Sequence, residues 1–368
     1  MTRSFMDSIN RAWGKTADCS WIAVLVIAAN AQAADPAVVA RGAYLAKVAD
    51  CVSCHTAGPR HPPFAGGLPI NSPFGIIYST NITPDPIVGI GKYSYTDFSR
   101  ALREGVARDG RRLYPAMPYP SFTAISDDDA QALYAYFMHG VEAVGQKPPQ
   151  TTLPFPFNQR WTLQFWDAAF VNHERYKPRA DRDAQWNRGA YLVQSLGHCG
   201  ACHTPRGFAY QEKGYSESSP EYLSGAVVDN WFAANLTGNR ASGLGRWSAV
   251  EISTFLETGH SGRTVAFGSM VAVIENSTQY LQKEDLNAIA HYLKSLPARN
   301  GKASYKPPAS PGGIVLTGAA FGKFELPGAG LYAGFCAKCH QDGGTGKPPK
   351  IPQLGGNSIV LSENASSL

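Results

Sequence analysis

The sequence predicts an all-α protein in which one helical unit recurs in tandem, complete twice and shortened in a third copy. Three observations predict it. The pattern C-x-x-C-H occurs as Cys51-Val-Ser-Cys54-His55, Cys199-Gly-Ala-Cys202-His203 and Cys336-Ala-Lys-Cys339-His340. A related stretch precedes each copy: Arg41-Gly42-Ala43-Tyr44-Leu45, Arg188-Gly189-Ala190-Tyr191-Leu192 and the weaker Gly330-Leu331-Tyr332-Ala333. After the first two copies, glycine-rich loops and capped amphipathic helices follow in the same order, which is the signature of an internal repeat.

The elements justify themselves in chain order. Arg3, Arg11 and Lys15 precede an apolar run over 21–29 and then Ala31-Gln32-Ala33, a small-x-small cleavage pattern. This reads as a secretory signal peptide, since about nine apolar residues are too few to span a bilayer. Cys19 precedes the apolar run and leaves with the signal.

Each of the repeated stretches reads as a short helix that delivers its cysteines at its C-terminal end. C-x-x-C-H is the attachment signature of a c-type haem. Two thiols add across the haem vinyl groups, the two-residue gap puts both sulfurs on one helical turn, and the adjacent histidine meets the iron. Zinc or dithiol redox chemistry is the weighed alternative. Zinc needs a second ligand pair at short range, and these motifs stand far apart with no other cysteine between them.

Phe64-Ala65-Gly66-Gly67 and Ser79-Thr80-Asn81-Ile82-Thr83 follow the first motif, and Leu223-Ser224-Gly225 and Ala234-Asn235-Leu236-Thr237 follow the second. Rich in glycine and proline, they read as loops wrapping a flat cofactor. Ser94 with Asp97, and Ser248 with Glu251, have capping-box spacing. Phe98, Ala101 and Leu102, and Ile252, Phe255 and Leu256, then recur at helical intervals up to Gly105 and Gly259. Amphipathic helices over 128–138 and 284–296 close the two units. Proline-rich linkers follow each unit, and Trp161, Phe165, Trp166 and Phe170 in the first linker read as a helix packed between domains. The expected boundaries are a signal peptide at 1–33, domains at 34–145 and 181–297, linkers at 146–180 and 298–325, and a shortened third domain at 326–368.

A low-spin electron-transfer haem needs a sixth ligand, and a methionine thioether both raises its potential and closes it to small molecules. Of five methionines, Met1 and Met6 fall in the signal and Met138 lies among apolar helix neighbours, as a core residue would. Met117, in Tyr114-Pro115-Ala116-Met117-Pro118-Tyr119-Pro120, and Met270, after Phe267-Gly268-Ser269, hold matching places in the repeat. They are the expected axial partners of His55 and His203. No methionine follows His340, so the third haem is expected to be exposed and to lack a methionine, its sixth position taken by a stray histidine, a lysine or water, with carbon monoxide binding in the reduced protein as the test. Pro352-Gln353-Leu354-Gly355-Gly356 resembles the loop whose proline carbonyl accepts a hydrogen bond from the proximal histidine in cytochromes c.

A chain of 368 residues has material for two to three domains. Its net charge of +5 is mild and dispersed, which gives no case for nucleic acid. Six of seven cysteines lie in the motifs, leaving no pair for a disulfide. There is no dinucleotide fingerprint, nucleophile elbow or acid cluster, so no substrate-oxidising site is expected. His61, His139, His173, His260 and His291 are scattered and read as structural or surface groups, and His198 as haem-pocket packing.

The succession of helix, haem loop, helix, ligand loop and helix resembles the class I cytochrome c domain. More specifically, Tyr93-Ser94-Tyr95, the Tyr114–Pro120 heptapeptide and Gly197-His198-Cys199-Gly200-Ala201-Cys202-His203-Thr204-Pro205-Arg206 resemble the three-haem cytochrome c subunits of membrane-bound dehydrogenases in acetic acid bacteria and relatives. The resemblance runs from about residue 34 to the end.

It implies three covalently attached haem c groups, held by Cys51, Cys54, Cys199, Cys202, Cys336 and Cys339 and ligated by His55, Met117, His203, Met270 and His340. It implies a catalytic dehydrogenase partner of flavoprotein (FAD) or quinoprotein (PQQ) type, ubiquinone as acceptor, and a place on the periplasmic side of the cytoplasmic membrane surface. The family's complete third domain and C-terminal membrane-associating tail are not in this sequence, so a C-terminally shortened member is expected. A peroxidase-like enzyme at an open third iron and a non-functional remnant are the competing expectations.

Overall fold

In a computed structural model of the chain, the residues described are 34–300 apart from 229, 328–362 apart from 349, and 366–367. The expected signal peptide at 1–33, with Cys19, and the stretch 301–327 lie outside the described residues.

Helix α1 (Pro36–Val48) starts where the Asp35 carboxylate accepts from the Ala37 amide and Pro36 presets the first turn. It runs into the single turn α2 (Cys51–Cys54), and then into a hairpin of β1 (Pro69–Ser72) and β2 (Gly75–Tyr78). Helix α3 (Tyr95–Glu104) carries the expected capping box of Ser94 and Asp97, and Gly105 ends it in the left-handed region. The short α4 (Tyr119–Phe122) and the longer α5 (Asp127–His139) complete the first set.

The same order returns. α7 (Ala184–Gln194), α8 (Gly200–His203), β3 (Ala226–Val228), β4 (Trp231–Ala233), α9 (Ala249–Thr258), α10 (Ser269–Asn276) and α11 (Lys283–Ser295) form the second set, after the connecting α6 (Leu163–Phe170). Ser248 and Glu251 form the second capping box, and Gly259 ends α9 at φ 72°.

In each set the cysteine-delivering helix crosses the closing helix: α1 packs on α5, and α7 on α11. The crossings need glycine. A Cβ on Gly42 would lie 1.9 Å from the Ala132 carbonyl oxygen, and one on Gly189 would lie 2.0 Å from that of Ala288. The buried side chains form one continuous cluster, from Leu45 and Leu133 of the first set to Leu192, Leu286 and Tyr292 of the second. Each buried leucine contributes roughly 1.5–3 kcal/mol, so these helix pairs, rather than the hairpins, hold the molecule together.

The fold is mainly helical, but two segments differ from expectation. The loops after the first two motifs contain antiparallel hairpins, β1 with β2 and β3 with β4. Ile70 faces Ile77, and Val227 faces Phe232, so β-branched and aromatic pairs outweigh the glycine and proline around them. The helix expected at 161–170 forms as a 3-10 turn, Arg160–Thr162, followed by α6. It does bridge. Asp167 accepts from Tyr119 at 2.6 Å and pairs with Arg112, while Trp166 Nε1 donates to the Ala209 carbonyl at 2.9 Å. Its packing is one-sided, however, since Trp161 and Phe165 remain exposed.

The third motif lies on a helical stretch: α12 (Ala329–Leu331), a π turn at Tyr332–Cys336 and α13 (Ala337–His340). The segment after it is tied to the second set. Arg246 donates to the Gly356 carbonyl, Asn357 Nδ2 to that of Arg263 at 3.1 Å, and Ser358 Oγ to that of Gly243 at 3.1 Å.

Candidate haem sites

In the first site Asp50 takes a left-handed conformation, φ 49°, that turns the chain from α1 into α2. One helical turn then carries both thiols, as the motif spacing requires. Burial pushes the Cys51 thiol up to about 12, and in the second site it pushes the Cys199 thiol up to about 12. Burial thus favours the protonated thiol over the thiolate. Zinc ligation and dithiol exchange instead use thiolates with lowered pKa values.

Each histidine is clamped at two points. His55 Nδ1 donates to the Thr80 carbonyl at 2.7 Å, His203 Nδ1 to that of Ala234 at 2.7 Å, and His340 Nδ1 to that of Pro352 at 2.9 Å. The backbone carbonyl of each histidine in turn accepts from a glycine amide: Gly66 at 2.7 Å, Gly225 at 2.8 Å and Gly346 at 2.9 Å. Committing Nδ1–H to a carbonyl fixes the tautomer and leaves Nε2 as the free donor atom for a metal. Burial lowers the pKa of His55 and His203, favouring the neutral imidazole that ligates iron. A closely spaced cysteine pair and an imidazole oriented through Nδ1 beside it fit a covalently attached haem, and this arrangement occurs three times.

The carbonyls are themselves held. Asn81, buried beside Thr80, accepts from the Thr83 amide and hydroxyl and donates to the carbonyls of Val144 and Gln146. Asn235, beside Ala234, accepts from the Thr237 amide and hydroxyl and donates to the Arg299 carbonyl. Sequence reasoning placed these segments near the cofactor and anticipated the Pro352 carbonyl. It missed the roles of Thr80, Ala234, Asn81, Asn235 and the three glycines. The signal was there in the matched Thr-Asn-Ile-Thr and Ala-Asn-Leu-Thr segments, 80–83 and 234–237.

Met117 lies in a tight loop, its amide donating to the Tyr114 carbonyl at 3.1 Å, two residues before α4. Met270 is in the first turn of α10. Both are partly buried, so the two methionines share a place in the chain order but not the same local backbone. Met138 is partly buried against the core. The first and second attachment segments lie side by side, with Cys54 within electrostatic reach of Cys202. One bond joins them directly, His198 Nε2 to the Ala49 carbonyl at 3.3 Å, and two more reach the first segment from the end of α10, Asn276 Nδ2 to Ser53 Oγ at 2.9 Å and Ser277 Oγ to the Val48 carbonyl at 3.3 Å. His198 is therefore more than the pocket packing expected of it, because it reaches the other site.

No family model matches the chain. It is, however, 47% identical over 341 residues to the cytochrome c subunit of an alcohol dehydrogenase (quinone) from Gluconacetobacter polyoxogenes, covering 91% of this chain and 72% of that one. It is 47% identical over 323 residues to the gluconate 2-dehydrogenase cytochrome c subunit of Pantoea cypripedii, covering 87% and 72%. Against the fructose dehydrogenase cytochrome subunit of Gluconobacter japonicus the identity is 41% over 342 residues, covering 90% and 69%.

Proposed function

We propose, from the premise that this chain belongs to the family of cytochrome c subunits of alcohol, gluconate and fructose dehydrogenases, that it relays electrons through three haems to ubiquinone. Membership makes it an electron-transfer subunit with covalently bound haem c and a catalytic dehydrogenase partner. The finer assignments are our own. Two class I cytochrome c domains at 34–145 and 181–297, and a partial third at 326–368, each carry one haem. The partner is a flavoprotein or a quinoprotein, and the complex works on the periplasmic side of the cytoplasmic membrane after removal of residues 1–33. No described helix is long and apolar enough to cross a membrane.

The observation that carries the three-haem reading is the repeated clamp: His55, His203 and His340 all donate Nδ1–H to a backbone carbonyl. When bound, the haem supplies a one-electron iron couple; the chain supplies everything that tunes it. The cysteine pairs Cys51/Cys54, Cys199/Cys202 and Cys336/Cys339 hold the ring by thioethers, and the clamps orient each imidazole and strengthen its basicity. Met117 and Met270 are assigned as sixth ligands in the first two sites, raising the potential and excluding small molecules. The names of the relatives, alcohol dehydrogenase in one and gluconate or fructose dehydrogenase in others, support an alcohol or sugar-derived electron source.

The test is haem counting on the full chain, expressed with its export machinery, together with reduction by the dehydrogenase that copurifies with it. Three haems per chain are expected, falling by one in each of His55→Ala, His203→Ala and His340→Ala. Substrate-driven reduction of the haems by a flavin- or PQQ-containing partner is expected alongside. Haems that no copurifying dehydrogenase reduces would sink the relay.

A further inference from the structure

The residue before the first cysteine of each complete motif lies in the left-handed region, Asp50 at φ 49° and His198 at φ 34°. Such turns favour short polar side chains and histidine. The two residues act differently. Asp50 turns inward and accepts the Ser53 hydroxyl at 2.6 Å within its own motif. His198 reaches out of its motif, donating Nε2–H to the Ala49 carbonyl at 3.3 Å. Its ring also meets Phe122 edge-on, with centroids 5.6 Å apart and planes at 73°.

Those two contacts reach two different helices of the first set. Ala49 ends the helix that delivers Cys51 and Cys54, and Phe122 ends α4, the short helix after Met117. One partly buried side chain of the second attachment segment thus touches both the helix that delivers Cys51 and Cys54 and the helix that follows Met117. The bonds from Asn276 and Ser277 to Ser53 and Val48 come from α10 and its end, not from a motif.

We infer that His198 is a positioning residue for electron exchange between the first and second haem sites, fixing the separation and orientation of their attachment segments. The role rests on both motifs carrying haem. One electron passes between the sites, oxidising one iron and reducing the other by one unit, with no bond made or broken. A rigid link matters because such transfer depends on how the two groups are held, and His198 is placed to hold them.

The test compares the haem-loaded full chain with His198→Phe, which keeps a ring against Phe122 but loses the donor, and His198→Gln, which keeps a donor without the ring. Haem content, the two-signed Soret circular dichroism couplet of neighbouring haems, and the inter-haem re-equilibration rate after pulse reduction are read on each. The expectation is unchanged haem content, a weakened couplet in both variants and a rate slowed by roughly tenfold in His198→Phe, as when reacting groups lose fixed positioning. His198→Gln should recover part of that rate. Wild-type couplet and rate in both variants at full haem content would overturn the role. Loss of haem from both variants would overturn it too, assigning His198 to attachment instead. Fewer than two haems in the wild type would overturn the underlying reading, and this role with it.

Discussion

The Tyr44 hydroxyl donates to Asp285 Oδ2 at 2.5 Å, joining the first cysteine-delivering helix to the second closing helix. The reverse bond also exists. Tyr191, the repeat counterpart of Tyr44, donates to Asp129 Oδ2 at 2.6 Å. Each hydroxyl also accepts from the residue that starts the opposing closing helix, Gln282 at 3.2 Å and Ser126 at 3.2 Å. Each aspartate is also paired within its own set, Asp285 with Arg188 and Asp129 with Arg41. The two sets therefore clasp each other reciprocally, as subunits of a two-fold dimer do.

Breaking the clasp should cost stability in a coupled way. Tyr44→Phe is expected to lose about 1.5–3 kcal/mol, the range for a hydrogen bond to a charged group. A double-mutant cycle with Asp285→Asn, read by chemical denaturation at fixed haem content, should show that the two losses are not additive. The Tyr191–Asp129 pair should repeat the result; additive losses at both pairs would refute the clasp. Burial pushes the Asp285 carboxyl up, but hydrogen bonds from Arg188 and Tyr44 outweigh it and hold it below the usual range. Its contribution is therefore full above the ordinary value of 3.8 and disappears as pH falls through the lower folded value.

The helix crossings predict intolerance at two glycines. Gly42→Ala and Gly189→Ala would each drive a methyl group into a backbone carbonyl. A backbone oxygen cannot swing aside like a side chain, so each change should cost at least about 2 kcal/mol by overpacking. Thermal unfolding measures it. A variant at either position with unchanged midpoint would contradict the close approach.

The asparagines behind the clamps predict a change in haem properties without touching a ligand. Asn235→Ala removes the acceptor for Thr237 and the donor to Arg299, loosening the segment whose Ala234 carbonyl orients His203. It should cost about 1–3 kcal/mol for the buried groups left unpaired. It should also shift the potential of one haem while sparing the others, as followed by spectroelectrochemistry. Asn81→Ala should do the same at the first site. A shift of all potentials together, or none, would argue against local control.

Glu212 predicts a pH dependence. Its carboxylate is buried against Gly200, within the second motif, and burial pushes it up to about 7 while Arg206 pulls in the opposite direction. A carboxyl raised on folding stabilises the fold only while protonated. The folded state holds the extra proton between the ordinary 4.5 and about 7, so stability should fall as pH rises through that window. At about 1.4 kcal/mol per pH unit, the loss approaches roughly 3 kcal/mol. Glu212→Gln should flatten this slope and leave the variant more stable than wild type above pH 7. An unchanged slope in denaturation curves from pH 5 to 8 would refute the assignment.

What the sequence determined by itself was everything set by short range. C-x-x-C-H needs only a helical turn, the capping boxes at Ser94 and Ser248 need only three residues, and Gly105 and Gly259 end their helices through their own backbone freedom. The recurrence of these signals made the repeat visible without any partner in view. The hairpins were hidden because glycine and proline dominate their surroundings, and cross-strand pairs such as Ile70 with Ile77 appear only when the strands meet.

Tertiary structure alone decided which carbonyl each histidine meets and how the two sets face each other. Thr80 is 25 residues from His55, Asp285 is 241 from Tyr44, and Ala49 is 149 from His198. Periodicity and spacing report on neighbours along the chain, whereas these contacts exist only once the helix pairs have packed and brought distant backbone into hydrogen-bonding range.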